Sequence, residues 1–155
     1  MAERPSIWVD ADSCPRKIRD IILRASRRTG LSVVFVSNRL IPLDSPDDRL
    51  IHITDAGEGS ADEFILSRCF SGDIVITRDI PLAARLLEKG CRVLNDRGDV
   101  FQSESIRERL SLRDRMKDLR EAGLLEEGKR SFGLKEVHRF AAALDRELAS
   151  LSGTS

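Results

Sequence analysis

Tyrosine is absent from this chain, tryptophan occurs once, and aromatic residues make up only 5% of it. A base-stacking platform of the kind many single-strand binders use is therefore not expected. Histidine is almost as scarce: His52 and His138 are the only two and lie far apart in sequence, which excludes a histidine-rich zinc centre. The three cysteines, Cys14, Cys69 and Cys91, are odd in number and form no Cys-x-x-Cys pair. That argues against a disulfide scaffold and suits a reducing cytoplasm. Net charge is missing as well, since 26 basic residues offset 26 acidic ones. A histone-like binder and an acidic tail protein are both excluded. No run approaches the roughly 18 apolar residues that a membrane span needs. The opening, Met1 to Asp10, has no apolar region of the signal-peptide kind, so a cytoplasmic chain is expected.

What remains is a globular composition, 41% hydrophobic and 34% charged over 155 residues. Short apolar runs alternate with stretches of helical periodicity between residues 6 and 101. Ser6 to Val9, Leu31 to Val36, Leu50 to Thr54, Asp73 to Thr77 and Cys91 to Leu94 read as strands. Pro15 can open the helix that carries Ile18, Ile22 and Ala25, and Gly30 can end it. Ser60-Ala61-Asp62-Glu63 has the form of a capping box opening a helix through Phe70. Pro81 to Lys89 reads as a short helix stopped by Gly90. The alternation predicts an α/β fold, three layers α/β/α, with a mostly parallel sheet covered on both faces.

From Ser103 onward the pattern is helical, with a charge-dense helix from Glu104 to Glu121 and an amphipathic one from Leu134 to Leu148. The organisation expected is a core over residues 1–102 and a helical extension, 103–155, packed on the same domain. The segment Asn38 to Arg49, with Pro42 and Pro46, reads as an exposed, mobile loop.

In an open parallel sheet, ligands sit beyond the carboxyl ends of the strands. Asp10 and Asp12 follow the first strand; Asp55, Glu58 and Asp62 follow the third; Asp79 follows the fourth and Asp96 the fifth. If extended backbone continues to Asp12, its carboxylate points the same way as that of Asp10. Each acid also has a plain structural reading. Asp10 and Asp12 can end a strand, Asp62 can sit in a helix's first turn, Asp79 can cap a helix, and Asp96 can belong to a turn. Their recurrence at one edge is what points to chemistry. Converging carboxylates need a cation, and an oxygen-rich site with few histidines favours Mg²⁺ or Mn²⁺. Such an ion can activate water and stabilise a phosphoryl transition state. Arg16, Lys17, Arg19, Arg24, Arg27 and Arg28 on the first helix either form a solvated face or supply phosphate contacts. Cys14, before Pro15 at a helix start, is a conceivable reactive thiol, although no histidine lies nearby as a base.

Ile7-Trp8-Val9-Asp10-Ala11-Asp12-Ser13-Cys14-Pro15 resembles the opening of the YaiI/YqxD family of uncharacterised bacterial proteins. Ala61-Asp62 with its apolar helix, then Gly72 to Ala83, resembles the central signature of that family, and Arg97-Gly98 and Arg113-Asp114 continue the likeness. The family is grouped with PIN-like domains, many of which are metal-dependent ribonucleases. The resemblance implies a metal held by Asp10, Asp62 and Asp79, with Asp12 as a further acid of the catalytic mouth. It implies that Thr77 and Arg78 orient the site or contact phosphate; Arg16 and Lys17, from the basic first helix, are the candidate substrate contacts beside them. RNA or another phosphodiester is the implied partner; a homo-oligomer is compatible, and no membrane is involved. The family usually carries a further acid where this chain has Gly59; Glu58 stands next to that position. It often has proline where Asp96 stands, and a Gly-Gly-Pro turn where this chain has Glu127-Gly128-Lys129. Two alternatives stay open. One is a non-catalytic protein binding metal, nucleotide or RNA. The other is a haloacid-dehalogenase-type phosphatase using Asp10 as nucleophile. That enzyme would need a phosphate-binding lysine, and Lys89 is the only lysine between Lys17 and Lys117.

Overall fold

The structure, a computed structural model, describes residues 4–43, 50–54, 59–124 and 132–152. Among these the chain forms strands β1 (Ile7–Asp10), β2 (Val33–Ser37), β3 (Ile51–Ile53), β4 (Ile74–Ile76) and β5 (Arg92–Leu94). The helices are α1 (Arg16–Thr29), α2 (Ser60–Arg68), α3 (Ile80–Glu88), α4 (Ile106–Glu121) and α5 (Leu134–Ser152). All strand pairs are parallel, in the order β3-β2-β1-β4-β5. No helix of the described residues is long and apolar enough to cross a membrane.

The strand sequences explain the layering. Side chains alternate between faces with period two. Ile7, Val9, Val33, Phe35, Ile74, Ile76 and Leu94 point to one face and pack with Ile18, Ile22 and Leu23 of α1 and Phe140, Ala143 and Leu144 of α5. Trp8, Val34, Val36, Val75 and Val93 point to the other face, against Ile65 of α2, Leu82 and Leu86 of α3, and Ile106 of α4. Because both faces are covered, β4 reads Ile-Val-Ile with every residue buried. The last helix thus shares the main core through α1 instead of standing apart.

β1 leads through α1 to β2 on one side, while β4 leads through α3 to β5 on the other. The winding therefore reverses between β1 and β4. That reversal opens a crevice at their carboxyl ends, where ligands of open α/β sheets bind.

Some sequence expectations shift. The Ser60 capping box does not form: Gly59 is the N-cap, in the left-handed region at φ 81°, and Ser60 is already helical with no side-chain cap bond. A glycine suits that position because it has no Cβ to strain it. Asp62 stays within the first turn of α2. In the loop after β2, Ile41 is buried, so that stretch is anchored and not wholly exposed; residues 44–49 lie outside the described residues. Gly98 turns the chain after β5 at φ 88°, where a Cβ would lie 2.7 Å from the Arg139 carbonyl oxygen.

Candidate active site

Thr77 is the centre of the crevice between β1 and β4. It is buried, and its hydroxyl donates to Asp10 Oδ2 at 3.0 Å. The Thr77 hydroxyl oxygen in turn accepts the Asp79 backbone N–H at 3.0 Å. One threonine therefore fixes both the carboxylate ending β1 and the start of α3. Asp79 is the N-cap of α3 and its Oδ1 accepts the Leu82 N–H at 3.0 Å. Its structural and functional readings are compatible, since the cap engages one oxygen. Asp62 enters from α2 and, when protonated, donates to Asp79.

Burial and the neighbouring charges raise the proton affinity of Asp10 and Asp62. Burial pushes Asp10 upward against the opposing Thr77 hydrogen bond, and the charges of Asp12 and Asp79 add to the rise. Burial likewise raises Asp62, with further contributions from the charges of Asp79 and Asp10, up to about 7. Half-buried carboxylates at close range cannot all ionise cheaply. The positive ends of α2 and α3 offset part of the repulsion, because Asp62 sits in the first turn of α2 and Asp79 caps α3. Among the described residues no ion pair joins Asp10, Asp12, Asp62 or Asp79 to a basic side chain.

Asp12 departs from the expected geometry. Extended backbone ends at Asp10, and Asp12 lies in the turn that follows. Its carboxylate accepts from Ser37 Oγ at 2.5 Å and from the Asn38 N–H at 3.1 Å. It ties the β1 exit to the end of β2, yet its charge still reaches Asp10. Arg78 is also engaged: its Nε donates to Asp96 Oδ2 at 2.8 Å, and a second guanidinium nitrogen bonds the same oxygen. That bond raises the Arg78 pKa further. Asp96 is buried, and among the described residues its Oδ1 has no hydrogen-bond partner. Through Oδ2, Asp96 anchors Arg78. Arg16 and Lys17 are exposed on the first turn of α1, as phosphate contacts would need to be. Arg19 does not share that solvated face; it is buried.

Cys14 is buried, and desolvation together with the charge of Asp96 drives its thiol up to about 12. That corrects the reading of a reactive cysteine, because the helix start cannot outweigh the loss of water. Asp73, read in the sequence only as a strand start, is a buried hub. Its carboxylate accepts from the Ser6 N–H (2.9 Å), Trp8 Nε1 (3.0 Å) and the Phe70 N–H (2.8 Å). Asp55 and Glu58 lie outside the described residues.

The donor set of Asp10, Asp62 and Asp79 suits a hard divalent cation in kind, being all oxygen and short of positive charge. Among the described residues, however, no three Asp, Glu, His or Cys side chains are already gathered into a metal-holding group. Clefts lie elsewhere, among them one on α4 lined by Arg107, Ser111, Leu112 and Arg115. Another of about 430 Å³ runs between Thr29 and Leu148, and one of about 400 Å³ lies beside Trp8, Phe70 and Asp73. None of these is lined by the acids of the crevice.

The all-parallel five-stranded sheet with helices on both faces defines an α/β protein of three layers. The chain belongs to the family described as Uncharacterized BCR, YaiI/YqxD family, whose profile matches residues 8–150. Its relatives include the UPF0178 protein of Syntrophobacter fumaroxidans, 46% identical over 144 residues, covering 92% of this chain and 93% of that protein. The UPF0178 protein of Treponema pallidum is 45% identical over 146 residues, covering 94% of this chain and 82% of its own length. That of Myxococcus xanthus is 45% identical over 152 residues, covering 96% and 97%. No solved structure matches the chain.

Proposed function

We propose that the chain is a divalent-metal-dependent nuclease of PIN-like type, hydrolysing phosphodiesters, with RNA as the favoured substrate. The observation that carries this reading is the electrostatic coupling of Asp10, Asp62 and Asp79 at the switch point, with no ion pair from them to a basic side chain among the described residues. Asp10, Asp62 and Asp79 would hold Mg²⁺ or Mn²⁺, and a bound cation supplies charge neutralisation and a more acidic water. Thr77 holds Asp10 in one orientation through its hydroxyl. Asp12, with both oxygens turned to the end of β2, braces that strand end and adds negative charge. Asp62, protonated up to about 7, gives up its proton to become a full carboxylate. Arg16 and Lys17 offer exposed charge for phosphate oxygens, and Arg78, half-exposed and fixed by Asp96, can orient one of them.

A second reading, a non-catalytic protein that binds metal, nucleotide or RNA, is favoured by Gly59 standing where a further acid of the site would be expected. The phosphatase reading loses its lysine, because Lys89 Nζ donates to the Leu66 carbonyl at 2.6 Å.

The test is cleavage of a mixed panel of single- and double-stranded RNA and DNA with Mg²⁺ or Mn²⁺. Wild type is compared with Asp10→Asn and Asp79→Asn. Asparagine still accepts from Thr77 in the first and still caps α3 in the second, so both variants should fold. Metal-dependent cleavage lost in both is the expected result. Mn²⁺ binding without cleavage supports the second reading, and equal cleavage by all three proteins refutes the site.

A further inference from the structure

α4 packs on α3 at its start, but its later turns stand clear of the other described elements. Only Ile106, at its start, is buried, and every residue from Ser111 to Leu124 is exposed. A single helix of this length is marginal in water, and most helices in proteins rely on burying an apolar face. The helix nevertheless has such a face. At 3.6 residues per turn, Leu112, Met116 and Leu119 fall within about 60° of arc. They are 55%, 39% and 37% exposed.

Around the helix the charges are partly sorted, with Arg107 and Lys117 lying among the acids roughly 130° or more from the stripe. Arg115 borders the stripe on one side, and Arg109, Arg120 and Arg113 border it on the other, all within about 100° of its centre. Asp114, Asp118 and Glu121 lie on the opposite half, roughly 120° or more away. Glu108, near the body of the protein, is the one acid beside the stripe. The basic flank is lightly engaged: Arg113 meets Asp114 at 3.3 Å, and Arg120 Nε reaches the Met116 carbonyl at 3.3 Å. Exposed contacts of that kind contribute little and are readily exchanged.

We propose that this face of α4 docks an acidic amphipathic helix of a partner protein. Apolar residues of that helix would cover Leu112, Met116 and Leu119, and its flanking carboxylates would meet Arg113, Arg115 and Arg120. Charge selects this occupant. A second copy would set arginine flank against arginine flank, as Arg115 borders one side and Arg113 and Arg120 the other. A nucleic acid would use the arginines but leave the apolar stripe wet, and the helix has no aromatic residue to stack on bases. A lipid surface rewards bulkier apolar faces than one Met and two Leu.

The experiment measures anisotropy of a labelled, helix-forming peptide of Leu, Ala and Glu added to the full chain. Its leucines follow helical spacing and its glutamates flank them. A matched peptide with Lys for Glu, a short single-stranded RNA and phosphatidylglycerol vesicles serve as the other probes. The acidic peptide is expected to bind about tenfold or more tighter than the lysine peptide. Met116→Glu should weaken it by about tenfold, the scale of a central contact residue, while Asp118→Ala leaves it unchanged. If Met116→Glu loses helix by circular dichroism, the paired change Arg113→Glu with Arg120→Glu makes the same comparison. No binding by the acidic peptide, equal binding of the two peptides, or tighter binding of RNA or vesicles overturns the proposal. So does a dimer in sedimentation that Met116→Glu dissociates.

Discussion

Removing the Asp73 carboxylate tests whether the amino-terminal end of the sheet is held as described. Three donors converge on it: the backbone N–H groups of Ser6 and Phe70 and the indole N–H of Trp8. They come from the segment entering β1, from β1 itself and from the end of α2, so the carboxylate joins pieces of chain that are remote in sequence. Hydrogen bonds to a charged acceptor contribute about 1.5–3 kcal/mol each, so a simple sum for Asp73→Ala would be roughly 4–9 kcal/mol. That sum is too large. The cleft of about 400 Å³ lined by Ser6, Trp8 and Phe70 admits water to the abandoned donors, and water replaces much of a lost bond. We therefore expect a loss of about 2–4 kcal/mol for Asp73→Ala. In a domain of this size that corresponds to a melting temperature lower by roughly 4–16 °C. Asp73→Asn keeps the volume and one acceptor oxygen. Placed where Oδ2 stands, that oxygen still takes Trp8 and Phe70, so an intermediate loss of about 1–2 kcal/mol is expected. Trp8→Phe removes one donor only. In a double-mutant cycle with Asp73→Ala it should show coupling of about 0.5–2 kcal/mol. The assay is urea unfolding followed by circular dichroism. An Asp73→Ala protein within 0.5 kcal/mol of wild type, an arbitrary bound at about the surface-substitution scale, would refute the reasoning.

Two further predictions concern titration. The Asp62 carboxyl, followed by carbon NMR, should titrate near 7, and Asp79→Asn should move it down because a like charge and a hydrogen-bond acceptor are weakened together. Its folded value lies above the unfolded one, so its contribution to stability is present at acid pH and is lost as pH rises through about 7. Asp62→Asn should flatten that part of the pH–stability curve, and an Asp62 value in the ordinary carboxylate range would contradict the assignment. Cys14 and Cys91, with thiols driven up to about 12, should resist iodoacetamide at pH 8 in the native protein and react at once in denaturant. Rapid native labelling of Cys14 would restore the reactive-thiol reading.

The sheet was legible because parallel strands covered on both faces must be apolar on successive residues, and runs such as Ile74-Val75-Ile76 state that directly. Asp10 and Asp79 were legible because the carboxyl end of a strand can be read along one dimension. Asp62 stands out by following the third strand and by the family resemblance; the capping pattern locates its helix, whose cap the backbone shifts by one residue to Gly59. The α4 face was present in the sequence as well, but it emerges only when charges are sorted by helical period, since along the chain acids and bases alternate.

The remaining assignments belong to tertiary structure. Asp12 turns to Ser37 because β1 ends two residues earlier than a continuing strand would. Asp96 reads as a turn residue until the fold buries it beside Arg78. Cys14 sits at a helix start in either view, but burial decides its chemistry. Asp73 gathers donors from 67, 65 and 3 residues away. Local pattern determines which backbone conformation a segment adopts and which of its faces is apolar. Desolvation and long-range hydrogen bonding depend on what the other segments bring to the same place, so the state of each polar group in this protein was settled only by the packed fold.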